Sequence, residues 1–344
     1  MAGVDDVLQK FGLQVSDFKI NRIGSGHIHE TYKLSGSTDY VLQRVNNKVF
    51  KHPETIASNL RIAAAFLKKN FPSYQFLSAL PASDGADLVF DSEGVPWRLF
   101  PFIANTFTTD RVGSADEARS AASEFARLTA NLNRIDVTQF KETIPRFHDL
   151  QLRFEQFETA LANAEPARRQ QAAHVITGCL RHRHLLEHYD DLLKSKGLRL
   201  RITHNDTKIN NILFDSTSRQ ACCVIDLDTL MPGYFIYDLG DMVRTFVSPV
   251  DEEEKDLSKI TFRKDIYDAL VKGYLSQMGP VMSPDEYAAI PFAGKMMTYI
   301  MLLRFVADFM NGDVYYHTTY PGQNLVRAEN QLCFLEKVEE ALGE

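Results

Sequence analysis

Between positions 202 and 228 the chain sets short polar runs among apolar ones. The first part reads Ile202-Thr203-His204-Asn205-Asp206-Thr207-Lys208-Ile209-Asn210-Asn211-Ile212-Leu213-Phe214, and the second Val224-Ile225-Asp226-Leu227-Asp228. This pattern predicts a strand, a tight loop, a second strand and a return strand that ends in carboxylates. The loop carries a carboxylate at Asp206, a cation at Lys208 and an amide at Asn211. Phosphoryl transfer needs such a set: an acid to orient the attacking hydroxyl, an amide and a second acid for Mg²⁺, and positive charge at the moving phosphoryl group.

Each residue has a role that its chemistry suggests. Asp206 is placed to accept the proton of an attacking hydroxyl. Lys208 offers a cation to the γ-phosphate. The Asn211 oxygen and the Asp226 carboxylate suit Mg²⁺, a hard cation that prefers oxygen ligands. Asp228 shares the side-chain parity of Asp226, about 7 Å along an extended strand, and is read as meeting the same metal cluster or the substrate. Asp238, in Tyr237-Asp238-Leu239-Gly240-Asp241, reads as structural support: a carboxylate at a helix start that accepts backbone N–H bonds from the active loop.

The elements that must position these groups follow from periodicity. Val4, Val7, Leu8 and Phe11 predict a short opening helix closed by Gly12. Alternating segments at Phe18–Ile23, Glu30–Leu34 and Tyr40–Val45 predict strands. Between the first two, Gly24, Ser25 and Gly26 can bring backbone N–H groups close to phosphate oxygens; the absence of Gly-Lys-Ser/Thr excludes a Walker loop. Arg44, one hairpin later, is either an exposed edge cation or a partner for nucleotide phosphates. A helix is expected from Pro53 to Lys69, with Glu54, in its first turn, as its only acid. A hairpin through Leu88–Phe90 and Trp97–Ile103 then leads into a linker, where adenine would meet backbone near Phe102. The domain boundary is placed there, giving residues 1–104 and 105–344.

Beyond it, Ser114-x-x-Glu117 is a capping-box signature, and helices are expected over Leu152–Ala164 and Ala167–Ser195. The second contains His184-Leu185-Leu186-Glu187-His188, a pattern of inverted zinc proteases, although Arg181, His182 and Arg183 beside it favour a solvated basic helix. The acidic run Asp251–Asp256 reads as a solvated loop or a helix start. In the apolar stretch Met296–Met310, Arg304 is the single cation. It either pairs with Asp308 four residues on or points into a substrate cleft, with Tyr315 nearby to pack on a sugar ring.

Composition bounds the remaining possibilities. A net charge of −7 argues against non-specific nucleic-acid binding. Met296–Met310 is too short to span a bilayer, no signal peptide is apparent at the start, and the four cysteines lack a CxxC spacing. The expectation is a cytoplasmic enzyme with reduced thiols and no membrane or nucleic-acid partner; the oligomeric state is left open.

The words Gly24-Ser-Gly-His-Ile28, Tyr40-Val-Leu-Gln-Arg-Val-Asn46, His204-Asn-Asp-Thr-Lys208 and Ile225-Asp-Leu-Asp-Thr229 resemble the aminoglycoside phosphotransferase and choline kinase branch of the protein-kinase-like superfamily. Within it, the chain resembles more closely the kinases that phosphorylate N-acetylhexosamines at the anomeric hydroxyl. The resemblance implies an α+β, two-lobed fold, with a small antiparallel-sheet N-lobe and a larger, mainly helical C-lobe, and the use of ATP with Mg²⁺. It makes Asp206 the catalytic aspartate, with Asn211 and Asp226 as metal ligands. Asn205, Asp228, Arg304 and Tyr315 fall to the small-molecule sugar. The alternatives are another small-alcohol kinase of the same branch, for choline, a different sugar or an aminoglycoside, and a non-catalytic binding module of kinase fold.

Overall fold

The computed structural model describes residues 3–23 and 29–343. Helix α1 (Val4–Lys10) opens the chain, and strands β1 (Lys19–Arg22), β2 (Glu30–Ser35) and β3 (Tyr40–Arg44) follow as antiparallel neighbours. Helix α2 (Pro53–Asn70) comes next, then β4 (Val89–Phe90) and β5 (Pro96–Pro101), which complete a five-stranded sheet in the order β1-β2-β3-β5-β4. Alternation decides the two faces of this sheet. Leu34, Leu42, Trp97 and Leu99 pack on Val4, Val7 and Leu8 of α1 in a small apolar core. Residues of the opposite parity, among them Gln43 and Arg98, face the other way.

Pro53 suits the first turn of α2, where its missing N–H has no partner to lose. The stripe of Ile56, Leu60, Ala63 and Leu67 is buried, but against the large C-terminal core rather than the small one. Asn59, 2% exposed, ties this helix down: its Nδ2 donates to the carbonyls of Lys141 and Leu230, at 2.8 and 3.0 Å.

The chain continues through β6 (Thr106–Phe107), α3 (Ala115–Asn131) and α4 (Leu150–Asn163). Ser114 caps α3 through the Glu117 N–H, while the Glu117 carboxylate reaches back to the Gly113 N–H at 2.7 Å. The span expected as one helix over 167–195 is divided into α5 (Pro166–Gln171), α6 (Ala173–Arg181) and α7 (His184–Lys194). The chain turns at Ala172 and at His182-Arg183, which lets α6 bury Val175 and Cys179 and α7 bury Leu185, Leu186 and Tyr189, while α5 buries no residue.

Next come β7 (Arg201–Thr203), β8 (Ile212–Asp215), β9 (Ala221–Val224) and β10 (Met231–Gly233). β8 pairs with β6 and β9, and β7 with β10. The helices α8 (Phe235–Phe246), α9 (Lys264–Met278), α10 (Pro284–Ala288), α11 (Ile290–Met310) and α12 (Gln323–Leu342) close the fold. α11 starts earlier than the apolar stretch suggests and is, by length and composition, long enough to cross a membrane. However, 89% of its most apolar window is buried inside the protein, as befits the central helix of a core. The expected architecture, an antiparallel-sheet N-terminal region and a mainly helical C-terminal one, is therefore observed.

Candidate active site

The 204–211 loop is held from beneath by Asp238. Its carboxylate accepts the backbone N–H of His204 at 3.0 Å and of Asn205 at 2.7 Å. Asn205 has φ +65°, a conformation that Asn tolerates better than most residues. Its side-chain amide donates to the carbonyls of Thr203 and Thr229, at 3.0 and 2.9 Å, so this buried residue braces backbone and is not presented to a substrate. Gly233 makes room for the brace: a Cβ there would lie 2.2 Å from Thr203 Oγ1 and 2.8 Å from Asn205 Oδ1. His204 joins the two halves of the site. Its Nδ1 accepts the Asp206 N–H at 3.2 Å and its Nε2 donates to the Ile225 carbonyl at 3.0 Å, next to Asp226.

On this frame Asp206, Lys208, Asn211 and Asp226 converge. Lys208 Nζ stands 3.3 Å from an Asp206 oxygen, and Asn211 Nδ2 donates to the Asp206 carbonyl and carboxylate at 2.8 and 3.2 Å. Burial alone would raise the Asp206 carboxyl, but the Lys208 ammonium and the His204 ring hold it below the usual value. Lys208 is raised in turn, chiefly by Asp206. Asp226, with φ +57°, opens to the cleft, yet the surrounding protein thins its hydration and Asp228 and Asp206 add negative charge; together these push its carboxyl up to about 6. A divalent cation would relieve that crowding. Donation by Nδ2 to Asp206 turns the Asn211 amide oxygen the other way, and Mg²⁺ commonly takes only one or two protein ligands, with phosphates and water completing its shell. Asn211 and Asp226 therefore fit Mg²⁺, although no group of three His, Cys, Asp or Glu side chains among the described residues forms a ready-made metal cage.

The sheet above contributes differently from the sequence reading. Asp228, 2% exposed, is engaged from both sides: Arg98 Nη1 lies 2.5 Å from Oδ1, and His29 Nε2 donates to Oδ2 at 2.6 Å. The His29 Nδ1 accepts the Asn46 N–H at 3.0 Å, which puts the ring proton on Nε2. Burial would raise Asp228, but Arg98 and His29 hold it well below the usual carboxylate range. Arg44 lies on the α1 side of the sheet. It is 3.3 Å from Glu30, 3.8 Å from Asp91 and 3.4 Å from Glu93, with its guanidinium 6.0 Å from the Trp97 ring centre. The structure thus does not bring Arg44 to the carboxylate cluster. Phe102 packs under Lys33, and its N–H is already donated to the Asp39 carbonyl at 3.1 Å. Glu54 bonds His52 at the exposed start of α2, and the helix is anchored by Asn59 instead. Gly24, Ser25 and Gly26 lie outside the described residues.

Arg304 does not pair with Asp308. The Asp308 carboxylate accepts the N–H groups of Val314, Tyr315 and Tyr316 at 2.8–3.0 Å and the Asn324 amide at 2.9 Å, which shapes the loop after α11. The Arg304 guanidinium lies 5.3–5.6 Å from the ring centres of Phe147, Tyr315 and Tyr316. Tyr315 is 64% exposed, with its ring packed edge-to-face against Tyr316. Burial, and then the charge of Arg304, lower the Arg153 guanidinium to about 10, and Arg153 donates to the Phe147 carbonyl at 3.2 and 2.6 Å.

Sequence reasoning missed Arg98, His29 and Glu252. Alternation past the buried Trp97 could have singled out Arg98; nothing local marks the others. Part of the acidic run expected in solvent is engaged by the helices: Glu252 accepts from Arg244 at 2.6 Å, and the exposed Glu253 pairs with Arg327. The His-x-x-Glu-His stretch forms no metal group among the described residues.

Residues 19–270 match the family described as the phosphotransferase enzyme family, APH. Among solved structures, a microcompartment-associated aminopropanol kinase is 18% identical, with 98% of this chain and 97% of that one covered and a TM-score of 0.62. An aminoglycoside phosphotransferase from Alicyclobacillus acidocaldarius is 15% identical, with 95% of each chain covered and a TM-score of 0.64. A spectinomycin phosphotransferase in complex with ADP and spectinomycin is 12% identical, with 98% of each chain covered and a TM-score of 0.60. At these identities the likeness speaks for a shared fold.

Proposed function

The chain belongs to the phosphotransferase enzyme family, and from that membership we propose that it transfers the γ-phosphate of ATP to the anomeric hydroxyl of an N-acetylhexosamine, GlcNAc or GalNAc. The observation that carries the reading is the convergence of Asp206, Lys208, Asn211 and Asp226 on one cleft. In this reading residues 1–104 carry the nucleotide and residues 105–344 the acceptor.

Asp206 stays ionised and accepts a hydrogen bond from the attacking hydroxyl. A carboxylate held below its usual value is a weak base, so its work is orientation, which a loose phosphoryl-transfer transition state requires. An anomeric hydroxyl, more acidic than an ordinary alcohol, suits such a base. Lys208 meets charge on the transferred group. Asn211 and Asp226 would hold Mg²⁺, which neutralises the phosphate oxygens when bound.

Arg304 and the rings around it support an uncharged, acyl-bearing acceptor. The guanidinium already lies against three aromatic rings, and Arg153 adds a second cation, so this corner repels an amine and favours a carbonyl oxygen. A small amino alcohol is the second reading, favoured by Glu252, whose side chain remains 30% exposed beside Arg244.

Incubation with Mg-ATP and a panel of GlcNAc, GalNAc, choline, an aminopropanol and an aminoglycoside tests the reading. Phosphorus NMR should show a product phosphate coupled to the anomeric proton. Phosphate on O6, or turnover confined to amine-bearing alcohols, would reject the sugar 1-kinase assignment.

A further inference from the structure

Strand parity puts two arginines on opposite sides of the N-terminal sheet. Arg44 shares a face with Leu42 and Trp97 and is paired there by Glu30, Asp91 and Glu93. Arg98 lies on the other face, 4% exposed, and is the sheet cation that touches the carboxylate cluster.

Its guanidinium is fixed on three sides. Nε and Nη2 donate to Gln43 Oε1 at 2.8 and 2.5 Å, and the Gln43 amide donates in turn to Thr31 Oγ1 at 3.1 Å, which sets the orientation of the amide. The Phe100 ring lies 5.2 Å from the guanidinium carbon. Asp228 supplies the third contact, on the loop that also carries Asp226. A planar guanidinium accepts a carboxylate or a phosphate in the same fork geometry. Asp206, Asp226 and Asp228 together leave this cleft short of positive charge for a polyphosphate, and Lys208 is already beside Asp206.

We propose that Arg98, oriented by Gln43 and held by Asp228, is the cation that grips the phosphates of the nucleotide donor. The assignment rests on the kinase reading above and names the residue on which its donor side depends. A phosphate would replace or share the Asp228 contact, and Gln43 would keep the fork aimed throughout.

Calorimetric titration with Mg-ADP and with adenosine separates a phosphate contact from a scaffold role. Arg98→Met should weaken Mg-ADP at least tenfold and leave adenosine within twofold, with part of the loss recovered in Arg98→Lys. Arg61→Met, an exposed charge on α2, should leave both ligands within twofold. If Arg98→Met does not fold, Arg98→Gln combined with Asp228→Asn removes both buried charges together and should show the same selective loss. Unchanged Mg-ADP affinity, equal losses of both ligands, or a selective loss at Arg44→Met instead would overturn the assignment. Failure of the unmodified protein to bind Mg-ADP at all would sink the kinase reading with it.

Discussion

The Asp238 carboxylate receives the backbone N–H of Asn205 at 2.7 Å and that of its neighbour His204 at 3.0 Å, so one buried side chain sets the path of the loop that presents Asp206. Asp238→Asn replaces one of the two accepting oxygens with an NH₂ group, which cannot accept, so the remaining oxygen can satisfy at most one of these N–H donors. Leaving a buried N–H unmet costs about 1–3 kcal/mol, and a displaced catalytic loop can cost roughly 10²-fold in rate. The expected variant melts earlier in denaturant titration and turns over about 10²-fold more slowly, with the KM for ATP little changed.

Asp206 itself should separate chemistry from binding. Asp206→Asn keeps the shape and the hydrogen bond to Asn211 but removes the charge that pairs with Lys208 and that we propose orients the hydroxyl. Loss of such a group lowers kcat by about 10²–10⁴-fold. Steady-state kinetics should show that fall with both KM values within a few fold. Undiminished turnover would mean that the attacking hydroxyl is oriented from elsewhere.

The 204–211 loop and helix α2 were legible in the sequence because they are local, whereas the helix expected over 167–195 is broken into three. The spacing from Asp206 to Asn211 lies within one loop, and the stripe from Ile56 to Leu67 needs only helical periodicity. Arg98 was only half legible: alternation sets it opposite Trp97 but does not say which face meets the carboxylates. A shift of one residue along a strand moves a side chain to the other face, and only the packing of Trp97 on α1 shows which face is which. Asp228 was harder still. Its partners, His29 and Arg98, are 199 and 130 positions away in the chain, and nothing near Asp228 hints at either. Asp308 illustrates the converse error: its spacing from Arg304 suggested a helical pair, but three backbone N–H groups of the following loop take the carboxylate.

Close packing predicts a suppressor pair at Gly233. An added Cβ would stand 2.2 Å from Thr203 Oγ1, far inside van der Waals contact. Gly233→Ala should destabilise the protein by about 1–3 kcal/mol, as overpacking does. Thr203→Ala removes the obstructing oxygen, so the double variant should regain part of the loss in thermal denaturation. Additive losses would show that the strain lies in the backbone and not in this contact.

Arg304 should act on one substrate alone. Removing a charged hydrogen-bond donor to the acceptor costs about 1.5–3 kcal/mol, a rise of roughly 10–150-fold in KM. Arg304→Ala should show that rise for the N-acetylhexosamine and leave the KM for ATP unchanged. Tyr315→Ala, which removes a largely exposed ring beside the Arg304 guanidinium, should give a smaller effect in the same direction. A change confined to ATP would place Arg304 outside the acceptor site.

The last helix, α12, is fastened to the turn between α6 and α7 by His182, whose Nε2 lies 3.0 Å from Glu339 Oε2. Burial alone would lower the His182 ring, but the Glu339 carboxylate outweighs it and raises the ring above its ordinary 6.5. Burial likewise would raise Glu339, and His182 brings it below its ordinary 4.5. The signs follow from linkage. The His182 contribution is complete below pH 6.5 and is lost as pH climbs through the raised value of the folded state. The Glu339 contribution is complete above pH 4.5 and is lost as pH falls through the lowered one. Their pairing therefore stabilises the protein most between about pH 4.5 and 6.5. The difference in melting temperature between the protein and its His182→Gln variant should peak in that window and shrink by pH 8. The nearby His184, 3.6 Å from the other Glu339 oxygen, is present in both proteins and so largely drops out of the comparison. A difference that stays flat from pH 5 to 8 would mean that His182 acts through packing and its bond to the Gly178 carbonyl rather than through charge.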